Sequence, residues 1–379
     1  MKAIKIDILL RDLTLVVMMA NLLNGWLPFR PIILRLILLL ICVYVLTLRW
    51  NKLIPLEKWM FSLSILNFLY FLVAFAGRGA SPNSVANNLC AFLPLSIFVY
   101  LGRRGVLTER FISTMTVLLL IAAVGYYVNY ERMRVASFGM EDSDDLTINA
   151  STVFVFLLPL LFFEKNRLLF FGELAVCVFF ILSAVKRGNI VAAAIPIGLL
   201  LLYQYQQSKR NLIMLMLLIG VVTVGAYYFR DYIIGNNYFM QRLDDTLEGD
   251  SSNRFRIYRE SFLLWWNADY LQIFFGQGYR AVTRALRIPA HSDWLELLVD
   301  NGLVGVTIYG GVFVQLLKSV RRIRIPVDRL ALWAAIAAWF AKSVYSMAYV
   351  ENYLFLLMIT IGYVLTKQST QLSVGDAKY

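Results

Sequence analysis

Residues 291–317 read HSDWLELLVDNGLVGVTIYGGVFVQLL. Polar residues crowd the first half; the second is an apolar run closed by Lys318. The stretch from about 293 to 317 is long enough, as helix, to cross the roughly 30 Å hydrocarbon core of a bilayer. Water is absent from that core, so every backbone N–H and C=O must be bonded within the segment, and the segment must be helical. Further apolar runs, each followed by Arg, Lys or a polar break, occur at about 8–28, 31–48, 57–76, 88–102, 111–129, 148–163, 168–185, 189–206, 211–229, 330–349 and 351–366. The expectation is an all-α, polytopic helical membrane protein with about 12 transmembrane helices.

Composition agrees. Apolar residues make up 60% of the chain and charged residues 16%, and the mean hydropathy is +0.66, whereas roughly a quarter of an ordinary soluble domain is charged. Four regions follow: 1–229 with helices one to nine, a long polar loop at 230–292, helices ten to twelve at 293–366, and a tail at 367–379. The first run contains Arg11 and Asp12 and lacks a small-residue cleavage site, so it reads as a retained helix. With the N-terminus cytoplasmic, the inner connections and termini carry nineteen basic residues (Lys2, Lys5, Arg49, Lys52, Lys58, Arg103, Arg104, Arg110, Lys165, Arg167, Lys209, Arg210, Lys318, Arg321, Arg322, Arg324, Arg329, Lys367 and Lys378). The short outer ones carry six (Arg30, Arg78, Arg132, Arg134, Lys186 and Arg187). The positive-inside rule then puts both termini in the cytoplasm and the long loop outside.

The net charge of +12 is spread over loop ends and does not predict a nucleic-acid partner. Cys42, Cys90 and Cys177 lie within apolar runs, where a thiol behaves as a small hydrophobe. With one histidine and no CxxC, HExxH, GxxxxGK[ST] or GxGxxG, neither a metal site nor a cofactor is expected.

Charges inside spans need partners or tasks. Arg11 can pair with Asp12, Arg35 lies close to an interface, and Lys342 sits mid-span, as an ion-paired or snorkelling residue or as a catalytic one. Few span carboxylates exist, Glu173 among them, which argues against a proton-coupled pump. The acidic stretch from Glu131 to Asp145 reads as a solvated outer loop. Lys186-Arg187-Gly188 is different, because two adjacent cations stand on the side where cations are sparse. Between Arg230 and Arg287 the long loop holds eight arginines and no lysine, a choice suited to planar, bidentate recognition of phosphate or carboxylate. Within it, Gly249-Asp250-Ser251-Ser252-Asn253-Arg254 reads as a helix start capped by Ser251 or Ser252. Arg254 would share an anion with the free N–H groups of that helix end. Alternatively, Arg254, Arg256 and Arg259 form the solvated face of an amphipathic helix anchored by Trp265 and Trp266. His291 is the one side chain whose unperturbed pKa lies near neutrality, at a helix start that Ser292 and Asp293 can cap. It is either a proton acceptor or interfacial decoration.

These residues resemble the bacterial O-antigen ligase and O-antigen polymerase superfamily. Its pattern is His, then Asn, Ser or Gln, nine residues, Gly, two residues, and a small residue or Tyr, met here by His291, Ser292, Gly302 and Gly305. Arg187-Gly188 at the outer end of a span and Ser252-Asn253-Arg254 in the large loop are also similar to the family; Lys186 departs from the serine that many relatives carry there.

The resemblance implies a GT-C-type, metal-independent glycosyltransferase of the bacterial inner membrane, working at the periplasmic face on undecaprenyl-diphosphate-linked oligosaccharides. Membrane lipids and a chain-length regulator protein are its implied partners. Arg187 and Arg254 would take the diphosphate, Arg256, Arg259, Arg280 and Lys186 would add contacts to substrate, and His291 would accept the acceptor's proton. Arginines can match the leaving group's charge electrostatically, and a base titrating near the working pH best activates a sugar hydroxyl. A polymerase, which extends a lipid-linked repeat, is favoured over a ligase, which transfers to lipid A core, by the compact Arg254 to His291 spacing. A flippase would thread cations through several mid-spans and show repeated halves; no repeat is visible, and the polar residues concentrate on one side.

Overall fold

The computed structural model describes residues 2–27, 30–76, 81–136, 150–184, 186–234, 254–349 and 352–375, and every regular element among them is helical. The α-helices are α1 (Lys2–Leu22), α2 (Pro31–Arg49), α3 (Pro55–Ala76), α4 (Pro82–Phe92), α5 (Pro94–Arg103), α6 (Glu109–Ala136), α7 (Thr152–Leu157), α8 (Arg167–Ser183), α9 (Arg187–Gln207), α10 (Lys209–Ile234), α11 (Arg254–Trp266), α12 (Tyr270–Phe275), α13 (Ala281–Leu286), α14 (Asp293–Arg322), α15 (Pro326–Tyr345) and α16 (Phe355–Gly375).

Six segments among the described residues are long and apolar enough to cross a membrane: Pro31–Lys52, Pro55–Phe75, Pro82–Arg103, Glu109–Asn129, Gly188–Gln207 and Asp293–Arg322. The chain is thus an all-helical, multi-pass membrane protein by length and composition. Helix also stands at the other expected positions, and four of those segments fall short of a full span for identifiable reasons. α1 carries Lys2, Lys5, Asp7, Arg11 and Asp12; α8 has only 17 residues; α15 holds Asp328, Arg329 and Lys342. The run at 148–163 becomes six residues of α7 and then a 3₁₀ turn, Leu158–Phe163, buried on all sides. The expected span is not shown there; the segment is two short helical pieces packed inside the bundle.

Polar contacts sort to two ends of the bundle. At one end, buried Arg49 reaches Glu57 at 2.9 Å, Arg104 pairs with Asp7 at 3.0 Å, and Lys367 bridges Glu109 at 3.0 Å and Asp328 at 3.1 Å. These residues lie at the starts of α1, α3, α6 and α15 and near the ends of α2, α5 and the apolar part of α16, so the bonds fasten helix termini to one another. Arg11 pairs with Asp12 as expected, at 2.8 Å. Arg35 is buried and donates to Asn83. Glu173 is buried, and among the described residues neither of its carboxyl oxygens has a hydrogen-bond partner.

The opposite end carries the polar segment. α11 and α12 lie against the first half of α14, α3 runs along α14, and α15 packs against α9. α14 is broken at Gly302, whose φ of 64° and ψ of −161° lie outside any helical region. The turn after α12 fills the break: Gln277 N–H donates to Val299 O at 2.8 Å and Gly278 N–H to Asp300 O at 3.0 Å. A side chain at 302 would put its Cβ 2.4 Å from the Phe274 carbonyl oxygen, so only glycine admits this approach. The expected caps Ser251 and Ser252, and 137–149 of the acidic stretch, lie outside the described residues.

Candidate active site

The last turn of α15, residues 342–346, is where the separated sequence signals meet. Gly188, second residue of α9, lies against it: a Cβ there would stand 3.7 Å from the Tyr345 carbonyl oxygen. Arg254, first residue of α11, donates through Nη1 to the same oxygen at 3.1 Å. The hydroxyl of Tyr258, one turn further along α11, stands 3.3 Å from both Val344 O and His291 O, its single proton shared between them. Ser292 Oγ donates to Ser343 O at 3.4 Å, and Trp294 Nε1 to Ser343 Oγ at 3.1 Å. A helix C-terminus has carbonyls left over, and here they receive α11 and the His291 turn. The Arg187 backbone starts α9 beside this turn, while its side chain lies outside the described residues.

His291 is half-buried and has φ 54°, a left-handed conformation unusual for a residue with a side chain. Ser292 occupies the N-cap position of α14 but, contrary to the capping expectation, makes no side-chain cap; its hydroxyl crosses to α15 instead. Burial pushes the Tyr258 hydroxyl above its ordinary pKa, so it stays a donor at neutral pH.

Three carboxylates, of which the sequence reading took Asp293 only as a cap and left out Glu296 and Asp300, hold this end together. Asp293, Glu296 and Asp300 fall at i, i+3 and i+7, one face of α14, and all are buried. Asp293 accepts from Ala348 N–H at 2.8 Å and Tyr309 Oη at 2.7 Å, Glu296 from Ala290 N–H at 2.7 Å, and Asp300 from the N–H groups of Arg280 and Ala281 at 2.7 Å. Each ties down a different loop. Their spacing inside an otherwise apolar run was the available signal, since ionised groups at such positions need partners.

Residues 172–310 match the O-antigen ligase family. The matched stretch runs from α8 to the middle of α14. The match encloses Arg187, Arg254, His291, Gly302 and Gly305, but not the 342–346 turn that Gly188, Arg254 and Ser292 meet. No curated protein matches the chain.

The remaining arginines of the matched stretch are placed differently. Arg256 and Arg259 are exposed on the far face of α11, Arg256 in a solvated pair with Glu260 at 3.8 Å, and the structure does not bring them to the α15 turn. The two sides of α11 differ: Arg254 and Tyr258 face α15, while Arg256, Arg259 and Trp266 are exposed on the outer side. Arg280 sits left-handed at the start of α13, backbone held by Asp300 and side chain exposed. Lys186 precedes α9 as its N-cap, and its carbonyl accepts from Asn189 N–H at 2.9 Å. Lys342 is 1% exposed, and its Nζ donates to Thr152 Oγ1 at 2.8 Å and Asn189 Oδ1 at 3.3 Å. Its ammonium thus lies within the helix bundle, hydrogen-bonded to neutral side chains of α7 and α9, two residues from Arg187. Among the described residues no group of three or more His, Cys, Asp or Glu side chains is arranged to hold a metal ion.

Arg254 forms no ion pair among the described residues; one Nη is bonded to a neutral carbonyl, so its full positive charge remains available to an anion. Lys342 and the N-terminus of α9 also lie at the α15 turn, so positive charge and free N–H groups stand there beside the buried Asp293. A base beside such a turn can serve group transfer from a phosphorylated donor.

Proposed function

We propose that this protein is a surface-polysaccharide polymerase: it transfers an undecaprenyl-diphosphate-linked glycan to a hydroxyl of a second lipid-linked repeat, without a metal, at the periplasmic face of the inner membrane. The observation that carries the proposal is the meeting of Gly188, Arg254 and His291, distant in sequence, on the 342–346 turn. In the reaction the acceptor oxygen attacks the anomeric carbon while His291 removes its proton. The bond from that carbon to the diphosphate oxygen breaks, its electron pair leaves with undecaprenyl diphosphate, and Arg254 and Arg187 balance the charge. The proton on His291 then passes to solvent.

The proposal keeps twelve membrane passages, with the short helices crossing while packed inside the bundle, and both termini cytoplasmic. The family description favours a second reading, transfer to lipid A core by a ligase. One experiment separates the two. Purified protein in chelator is given lipid-linked repeats alone, or repeats together with lipid A core. A polymerase builds lipid-linked dimers and longer chains in the first mixture; a ligase acts only in the second. His291→Ala should lose about 100-fold or more of either activity, the usual effect of removing a general base, together with the rise of rate with pH near neutrality. A wild-type rate with that rise intact removes His291 from the chemistry.

A further inference from the structure

The backbone at His291 carries more restraint than a helix start needs. Three consecutive residues are each fixed from a different direction: Ala290 N–H by Glu296 of α14 at 2.7 Å, His291 O by Tyr258 of α11 at 3.3 Å, and Ser292 Oγ by Ser343 O of α15 at 3.4 Å. Left-handed backbone at a residue with a side chain persists where its surroundings over-determine it, and such places cluster at functional sites. The Tyr258 hydroxyl is the element that α11 contributes. It lies one turn from Arg254 on the same face and also stands 3.3 Å from Val344 O, so one group spans the helix bearing Arg254, the His291 turn and the end of α15.

We propose that Tyr258 is a positioning residue for transfer: its hydroxyl fixes the His291 turn at a set distance from Arg254, so that the base and the diphosphate-binding guanidinium address the two ends of one reacting bond. Tyr258 touches no reacting atom. It acts through the placement of the imidazole. This rests on the proposed role of His291, and a shift of about 1 Å in a reacting group can lower a rate by two orders of magnitude.

The test is a double-mutant cycle in the full-length, membrane-inserted protein with lipid-linked repeats, following kcat, KM and thermal unfolding in detergent. Tyr258→Phe keeps the ring and removes the donor. It should lower kcat by about 10- to 100-fold with KM within about two-fold, and it should have almost no further effect in the His291→Ala background, because groups that act as a unit are non-additive. Replacement of Tyr258 by 4-aminophenylalanine, which restores a donor on the same ring, should recover most of kcat. An equal fold-loss in both backgrounds, a rise in KM alone, or no loss overturns the proposal. If Tyr258→Phe does not insert, the cycle is run with the 4-aminophenylalanine chain, whose altered reach should give a smaller loss that again vanishes with His291→Ala; a loss persisting there overturns it equally. Wild-type activity in His291→Ala itself is a different result, and refutes the base assignment.

Discussion

Arg254 is where charge and geometry can be separated experimentally. Its guanidinium is anchored by one bond to the Tyr345 carbonyl, which leaves the rest of the planar fork for an anion. Lysine in its place carries the same charge on a flexible stem without the fork, and charge-assisted bidentate bonds are roughly twice as strong as neutral ones. Arg254→Ala should lower the transfer rate by about 100-fold or more, in the range found when one preorganised charge-stabilising group is removed, and Arg254→Lys should restore only part. Initial rates at equal membrane expression decide it, and full activity in Arg254→Ala removes the residue from the site. The outward Arg256 provides the contrast: its exposed 3.8 Å pair with Glu260 is of the kind that contributes little.

Among the elements, α14 is built to be interrupted. Before the break its buried carboxylates hold loops; after it the helix crosses the bundle, and the Gly276–Gly278 turn is seated at Gly302. In Gly302→Ala the new Cβ would meet the Phe274 carbonyl at 2.4 Å and its carbon at 2.5 Å, and alanine would be held at φ 64°. Backbone cannot swing aside as a flexible side chain does, so the change should destabilise by about 3 kcal/mol or more, combining left-handed strain with overpacking. Gly310→Ala on the same helix would place its Cβ 4.0 Å from the Trp294 ring, an ordinary contact, and should be tolerated. Thermal unfolding in detergent compares the two directly, and equal midpoints would mean that the break is not enforced by glycine.

For the whole molecule, the decisive property is that its ends differ. The ion pairs of Arg49, Arg104 and Lys367 gather at one end, while Arg254, His291 and the motif carboxylates gather at the other. The proposed orientation, with the first end toward the cytoplasm, rests on the nineteen-to-six imbalance of basic residues. Reporters inserted at the 267–269 turn and near residue 325 should therefore label as periplasmic and cytoplasmic respectively. The reverse pattern would put the site on the face away from exported lipid-linked sugars and sink the proposed reaction with the map.

The apolar run after Asn301, and its counterparts along the chain, determined helices, since no other backbone arrangement satisfies its hydrogen bonds in lipid. The chain's one histidine, its arginine-rich loop, and the spacing of Ser292, Gly302 and Gly305 from His291 made the parts of the site legible, because these are local facts of residue type and interval. Which arginine meets the α15 turn was not local. Arg254, Arg256 and Arg259 share one short helix, and only the docking of α11 on α15 turned Arg254 inward and left the others exposed. Apolarity likewise marked 148–163 without revealing that tertiary packing divides it into α7 and a buried 3₁₀ turn. The roles of Tyr258, Asp293, Glu296 and Asp300 belong to the tertiary structure as well. Each bonds a backbone group of another segment, and which N–H or C=O stands opposite a side chain is settled only when the helices have packed.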